Sequence, residues 1–320
     1  MRKMLRSCKK VLLDIIYRVN YKVMTQKACD PITDLPLGKF FRLDIPTYDG
    51  SGQAVHPSLL VSSDTPRFVL SFTPETDTDD RVENPSVVIS DDGLNFREEK
   101  PGLNPLVPAP EKDHNDDPDL FCHDGKYCIL YLETMRPEKQ SLVLLESTDR
   151  LRWEKRVLHQ ENLDSGSGCF MLSPKYLEKD GVSYLFYVNR DAPDGYRIEY
   201  VAGRGIGSLD FACRNIVTVT GLKALPWHLD IIPYHTEKGQ SWCMLLTTAS
   251  GPEKDALYTL RLAESHDLMH WSLRPGLEIQ DCYRSSGFIR DGVLYLYISK
   301  IFFPRWKRKK WKILLYKTKK

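Results

Sequence analysis

Hydrophobic residues fall in short runs broken by turn residues, from about residue 55 to the C-terminus, and five of these runs are rich in aromatics: 68–72, 127–131, 184–187, 242–246 and 294–297. A second short apolar stretch precedes each one. It opens on a polar head: His56-Pro57-Ser58-Leu59-Leu60, Asp117-Pro118-Asp119-Leu120-Phe121, Ser173-Pro174-Lys175-Tyr176-Leu177, His228-Leu229-Asp230-Ile231-Ile232 and, more loosely, Tyr283-Arg284-Ser285-Ser286. The heads stand 61, 56, 55 and 55 residues apart. Asp124-Gly125, Asp180-Gly181 and Asp291-Gly292 separate three of the pairs, and Asp-Gly between two strand-like runs is a tight hairpin signal. Each unit therefore begins with a hairpin.

A third strand ends in a Ser-x-Asp-x-x-x-aromatic box, as at Ser90, Asp92 and Phe96, at Ser147, Asp149 and Trp153, and at Ser265, Asp267 and Trp271. The unit starting at Ser173 keeps only Phe211, and the last has no room for the box. Such an Asp hydrogen-bonds its own turn while the ring packs under the next strand, so the box is read as structural. Five units of four short strands, with no 10–15-residue helical pattern between them, predict an all-β fold: a five-bladed β-propeller of four-stranded antiparallel blades over residues 31–320. The chain ends before a fourth strand of the last unit, and residues 39–45 are the candidate to complete it.

The first 30 residues read differently. Met4, Leu5, Cys8, Val11, Leu12, Ile15, Ile16, Val19 and Val23 recur at spacings of three and four, which predicts a basic amphipathic N-terminal helix followed by a linker. Residues 1–24 hold seven Lys/Arg against one Asp, and residues 300–320 hold ten basic residues and no acid, although the whole chain is only +2. The body between them is acidic, which argues against a nucleic-acid binder. Asp14 and Arg18 interrupt the apolar segment, no small-residue cleavage site follows, and no run of 18 apolar residues occurs, so a cytoplasmic protein is expected. The helix either lies on an anionic inner membrane face or docks on protein, and Phe302, Phe303, Trp306 and Trp311 among the C-terminal lysines favour surface association. Eight cysteines without a CxxC pair read as buried free thiols, and no zinc-ligand spacing or dedicated cation loop is visible, so neither metal nor cofactor is expected, with a calcium or sodium ion among the channel carboxylates left open.

In an antiparallel blade the heads share one face with the loops between strands two and three, and the boxes decorate the other. Alternation then directs His56 and Ser58, Asp117 and Asp119, Ser173 and Lys175, His228 and Asp230, and Tyr283 and Ser285 into the channel mouth. Arg284, Trp227, His114 and Glu83 are expected beside them. Carboxylates crowded in a semi-enclosed pocket repel one another and lose hydration, a cost tolerated mainly where the groups are used. Asp117, Asp119, Asp230, Glu83 and His228 are the candidate catalytic acids and bases. A carboxyl pair suits glycoside cleavage. Trp227 or Tyr283 would stack on a sugar ring, while Arg284, Lys175, His56 and His114 would contact the substrate, the cations favouring an anionic glycan.

The heads, the aromatic hairpins and the stretches Glu83-Asn84-Pro85-Ser86 and Ser90-Asp91-Asp92-Gly93-Leu94-Asn95-Phe96 resemble five-bladed propellers of the family 43 glycoside hydrolase type, arabinanases and β-xylosidases. That resemblance covers roughly residues 50–320 and implies carbohydrate binding at the mouth. It also implies an Asp base at the first head with a second Asp and a Glu acid later; here the first head offers His56 and no head offers Glu. Two functions stay open: glycoside hydrolysis, and non-catalytic recognition of carbohydrate as an accessory of polysaccharide assembly at the membrane surface. Flotation on anionic liposomes separates the roles of the helix: loss on removal of residues 1–24 indicates lipid contact, and no dependence on anionic lipid indicates docking on protein.

Overall fold

Each predicted hairpin folds into the inner half of one sheet, and five such sheets stand around a common axis. The computed structural model describes residues 31–320 except 64, 77–78, 164–169, 193–194, 238, 252–255 and 303–309, together with the backbone of Thr25–Lys27. The amphipathic helix expected over the first 24 residues lies outside the described residues. Innermost strands are Ala54–Val61, His114–His123, Leu172–Lys179, Leu225–Thr236 and Cys282–Arg290. Each pairs antiparallel with the aromatic run that follows it. The Asp-Gly turns have both residues at positive φ, Asp124 at 48° and Gly125 at 73° being typical, as a two-residue hairpin of matching twist requires.

The second strands run through the middle of the stack and are buried on both faces. Alternate residues of one strand therefore feed opposite neighbours: Ile129 and Tyr131 pack with Val69, Val87 and Ile89 of the first blade, whereas Cys128, Leu130 and Leu132 pack with Leu185, Tyr187 and Val201 of the third. Each of the five blade junctions has its own apolar cluster of this kind. This is why the runs read as continuously hydrophobic rather than alternating. The boxes do what their chemistry suggests: Asp92 Oδ1 accepts the N–H groups of Leu94 and Asn95, both at 2.8 Å, and Asp149 and Asp267 repeat the pattern.

Strand number departs from four in places. The first blade has three strands, and only an isolated bridge between Ile89 and Arg97 stands at the fourth position. In the fourth blade Val219–Thr220 adds a parallel edge to Trp271–Gln280. The last blade is completed by Phe40–Arg42, antiparallel to Lys310–Lys319, within the stretch expected to do so. Thr25–Lys27 then pairs parallel with Phe40–Arg42, so this sheet reaches into the segment read as linker. Lys317 secures the closure: its buried ammonium donates to the carbonyls of Ile32, Thr33 and Leu35 at 3.0, 2.8 and 2.7 Å. Among the described cysteines Cys128, Cys243 and Cys282 are buried as expected, whereas Cys122 and Cys213 are exposed because they sit at strand ends and turns.

Phe41 carries this closure into the core. It is fully buried among Tyr297, Ile313 and Leu315. Phe41→Ala is expected to lower the unfolding free energy by about 3–5 kcal/mol, measured by urea denaturation.

Candidate active site

Every inner strand carries a β-bulge at the same place, and the bulges build the site. One extra residue stands against the second strand in each hairpin, between Val55 and Ser58, Asp116 and Asp119, Leu172 and Lys175, Pro226 and His228, and Cys282 and Arg284. In the first three blades the bulge begins at His56, Asp117 and Ser173, with φ of 53°, 54° and 50°, and proline follows each. A proline suits a bulge, where no ladder partner is lost, and left-handed backbone at three non-glycine residues is strain of the sort that gathers at functional sites.

The bulges define two rings around the axis. His56, Asp117, Ser173, His228 and Arg284 form the outer ring at the mouth; Ser58, Asp119, Lys175, Asp230 and Ser286 form the deeper one. In the last blade this corrects the expected phase. Tyr283 is itself the extra residue, so Arg284 and Ser286 face the channel network instead of Tyr283 and Ser285. Trp227 is the corresponding residue of the fourth blade.

Three aspartates in the channel face only two cations, and the carboxyl of Asp119 is pushed up by burial and by Asp230 against the pull of Lys175. Asp117 is fully buried; its Oδ1 accepts from Arg284 Nη1 at 2.6 Å and its Oδ2 from the Ser173 N–H at 2.8 Å. Burial opposes its ionisation, but His228, Arg284, His56 and that N–H outweigh burial and hold the carboxyl well below its usual range. Lys175 Nζ lies 2.9 Å from both Asp119 and Asp230. Burial favours neutral lysine, yet the two carboxylates outweigh it and raise the ammonium above its ordinary value. The hydroxyls of Ser58 and Ser286 accept backbone N–H groups of Leu120 and Leu59, tying the remaining blades into this floor. Lys175 and Arg284, expected beside an anionic sugar, are here paired with internal carboxylates.

At the outer ring His56 Nδ1 bonds Thr73 Oγ1 at 2.9 Å, and its Nε2 is 3.7 Å from Asp117 Oδ1. His228 Nδ1 is 2.9 Å from Ser173 Oγ and 3.5 Å from Asp117 Oδ1, while its buried Nε2 has no hydrogen-bond partner. Serine and aspartate meet the same ring nitrogen, so these three residues are not a nucleophilic triad, which needs them on opposite nitrogens. Burial depresses His56 to about 3 and His228 to about 4, with Asp117 opposing, so both rings are neutral near pH 7. One ligand atom from each of His56, Asp117 and His228 lies within 4.8 Å of the others, a donor set that spacing along the chain could not reveal.

Glu83 reaches this ring from the connection after the second strand of the first blade. Tyr48 Oη donates to the Val82 carbonyl at 2.6 Å, the Asn115 N–H donates to the Glu83 carbonyl at 2.9 Å, and Asn115 Nδ2 donates to Asn84 Oδ1 at 2.7 Å. The Glu83 carboxyl comes to 3.9 Å from His56. Burial first, then Glu75, Asp116 and Asp80, raise it well above the usual carboxylate value, with His114 opposing. His114 itself belongs to the rim, with Nδ1 2.7 Å from Asp113 and Nε2 3.2 Å from Asp116, while Arg136 grips Asp113 with two nitrogens at 2.6 Å.

Trp227, expected with Tyr283 as a sugar platform, is largely buried. It is 8% exposed, with Arg190 5.1 Å over its ring and Tyr196, Tyr258, Tyr283 and His228 around it. Tyr283, only partly buried, remains the aromatic at the mouth, 4.7 Å from the ring of His228 and 5.5 Å from that of His56. The reading from sequence missed Thr73, Ser286 and Arg190. Ser286 was within reach by counting two residues beyond Arg284; Thr73 and Arg190 carry no signal of their own.

No family model and no curated protein matches the chain. Solved structures do. An N-acetylgalactosamine deacetylase from F. plautii, in complex with blood group B trisaccharide, superposes with a TM-score of 0.71 at 17% identity, covering 87% of this chain and 94% of that one. An exo-1,5-α-L-arabinanase from a bovine ruminal metagenomic library gives 0.56 at 12% identity over 83% and 93%, and a thermostable family-43 glycoside hydrolase gives 0.55 at 13% over 87% and 95%. The fold is that of the family 43-type five-bladed propellers. The expected architecture is thus borne out, and the mouth of this propeller is the place where its polar heads meet.

Glu83 yields a sign-specific test. Above about 4.5, its ordinary value, the unfolded chain releases this proton while the folded chain keeps it, so Glu83 costs stability as pH rises toward its folded-state value. Glu83→Gln removes that cost. Its stability relative to the parent is expected to be flat below pH 4 and to grow by up to about 1.4 kcal/mol per pH unit above it, read from urea denaturation across pH.

Proposed function

We propose that the protein is a carbohydrate-active hydrolase that removes an acyl group from an amino sugar at the channel mouth, using a divalent cation held by His56, Asp117 and His228. The convergence of these three residues carries the reading. A divalent ion roughly 2.0–2.3 Å from each ligand sets ligand atoms about 3–4.6 Å apart, which matches their grouping within 4.8 Å. The unpartnered, buried Nε2 of His228 fits the same role. When bound, such an ion would polarise an acyl carbonyl and acidify a water.

The carboxyl inventory supports acyl transfer over glycoside cleavage. Glycosidases need two carboxyl groups flanking the bond, but Asp119 and Asp230 are paired with Lys175, and Asp117, bonded by Arg284, is drawn into the group with His56 and His228. Glu83 remains. Its carboxyl, raised above the usual range mainly by burial, suits a group that takes a proton from water and returns it to the departing amine as the carbon–nitrogen bond breaks. Tyr283 beside the two histidines would orient the sugar. The deacetylase with blood group B trisaccharide, more similar in structure than the glycosidases compared, lends weight to an N-acetylated sugar as substrate. One observation favours glycoside cleavage as a second reading: Glu83 is pushed up while Asp117 is held down, as an acid and a carboxylate partner would be.

Incubation with oligosaccharides ending in N-acetylgalactosamine or N-acetylglucosamine, alongside aryl glycosides, separates these outcomes. Acetate release is expected, abolished by EDTA and restored by Mn²⁺ or Zn²⁺, with Glu83→Gln lowering kcat by about 10²–10⁴-fold. Aryl-glycoside turnover without acetate release would establish glycoside cleavage, and binding without turnover would establish a recognition module.

A further inference from the structure

We propose that Ser173 is the positioning residue of this site, fixing His228 and Asp117 in ligating geometry although the third blade supplies no ligand. The inference rests on the cation reading above. Of the five outer-ring residues, three are the ligands and one is the guanidinium of Arg284. Ser173 is the fifth, and it alone of the five has neither charge nor ring nitrogen. It is fully buried, and it bonds two ligands at once: its N–H donates to Asp117 Oδ2 at 2.8 Å, and its Oγ lies 2.9 Å from His228 Nδ1. Its φ of 50°, at the start of the bulge before Lys175, is what turns N–H and hydroxyl toward the same axis.

The hydroxyl and the Asp117 carboxylate together hold the tautomer of His228. Nδ1 faces both Ser173 Oγ and, at 3.5 Å, Asp117 Oδ1. A lone pair on Nδ1 would point at a carboxylate oxygen, so the proton sits on Nδ1 and is donated to the serine oxygen. Nε2, buried and without a partner, then holds the lone pair a cation uses. Without the hydroxyl, Nδ1–H keeps only the longer contact to Asp117, and the preference for this tautomer weakens.

Two variants isolate the hydroxyl from the backbone. Ser173→Ala and Ser173→Gly both remove it, and glycine also relieves the left-handed conformation. Mn²⁺ affinity, measured by titration calorimetry, is expected to fall about 10- to 100-fold and equally in both, with little change in thermal midpoint. In the metal-free proteins ¹⁵N spectra of the histidine rings should show a single Nδ1–H tautomer of His228 in the parent and a mixture in both variants. A single Nδ1–H tautomer retained in the variants overturns the inference, as does loss of affinity in the alanine variant alone. If the parent binds no Mn²⁺ but the variants show mixed tautomers, positioning by Ser173 stands and the cation reading falls.

Discussion

Charge brought out of water at the meeting point of five strands must find its counter-charge within the same few ångströms, and this requirement governs the centre of the molecule. Asp117, Asp119 and Asp230 come from two blades; Lys175 and Arg284, which pair with them, come from two others. Neither cation is a sequence neighbour of its partners. The bridges therefore form only when the ring has its correct order and spacing, and each would leave a costly unpaired charge if a blade were displaced. Apolar clusters at the junctions supply the bulk of the burial, but they are tolerant of small shifts in a way that a buried ammonium between two carboxylates is not.

The same requirement shapes the chemistry open to the site. Lys175 holds the deeper aspartates, and in the outer ring burial keeps the imidazoles of His56 and His228 neutral while Asp117 stays ionised against burial through its charged and hydrogen-bonding neighbours. Neutral imidazole and carboxylate are the forms that ligate metals. Glu83, brought in by a connection instead of a strand, keeps an environment of its own, and its carboxyl is driven in the opposite direction to that of Asp117.

Much of this was legible in the sequence because the signals are local. Asp-Gly pairs fix hairpins, Ser-x-Asp boxes fix turns, and five heads at nearly constant spacing fix the blade count. Glu83, Asp117, Asp119, His228 and Asp230 were identified from position alone, and all of them reach the channel or its mouth. What failed was the phase of the last head: one extra residue at Tyr283 reverses the alternation, and nothing in the letters around it distinguishes a bulged strand from a regular one. The pairing of Lys175 and Arg284, the burial of Trp227 under Arg190, and the meeting of His56, Asp117 and His228 depend on distances between segments far apart along the chain. No reading of neighbours along the chain contains them.

The joint that completes the ring pairs Phe40 with Tyr316, so a strand near the start of the described fold waits for the last one. A ribosome releases these two stretches far apart in time. Until the end of the chain emerges, four blades can assemble while the strand edge that should receive Phe40–Arg42 does not yet exist, and the apolar face of Phe41 and Leu43 stays uncovered. Contacts of such long range are slow to form, and an open edge invites pairing with other chains. Truncation near the C-terminus should for this reason be more damaging than its length suggests: it unlatches the beginning of the molecule as well as its end.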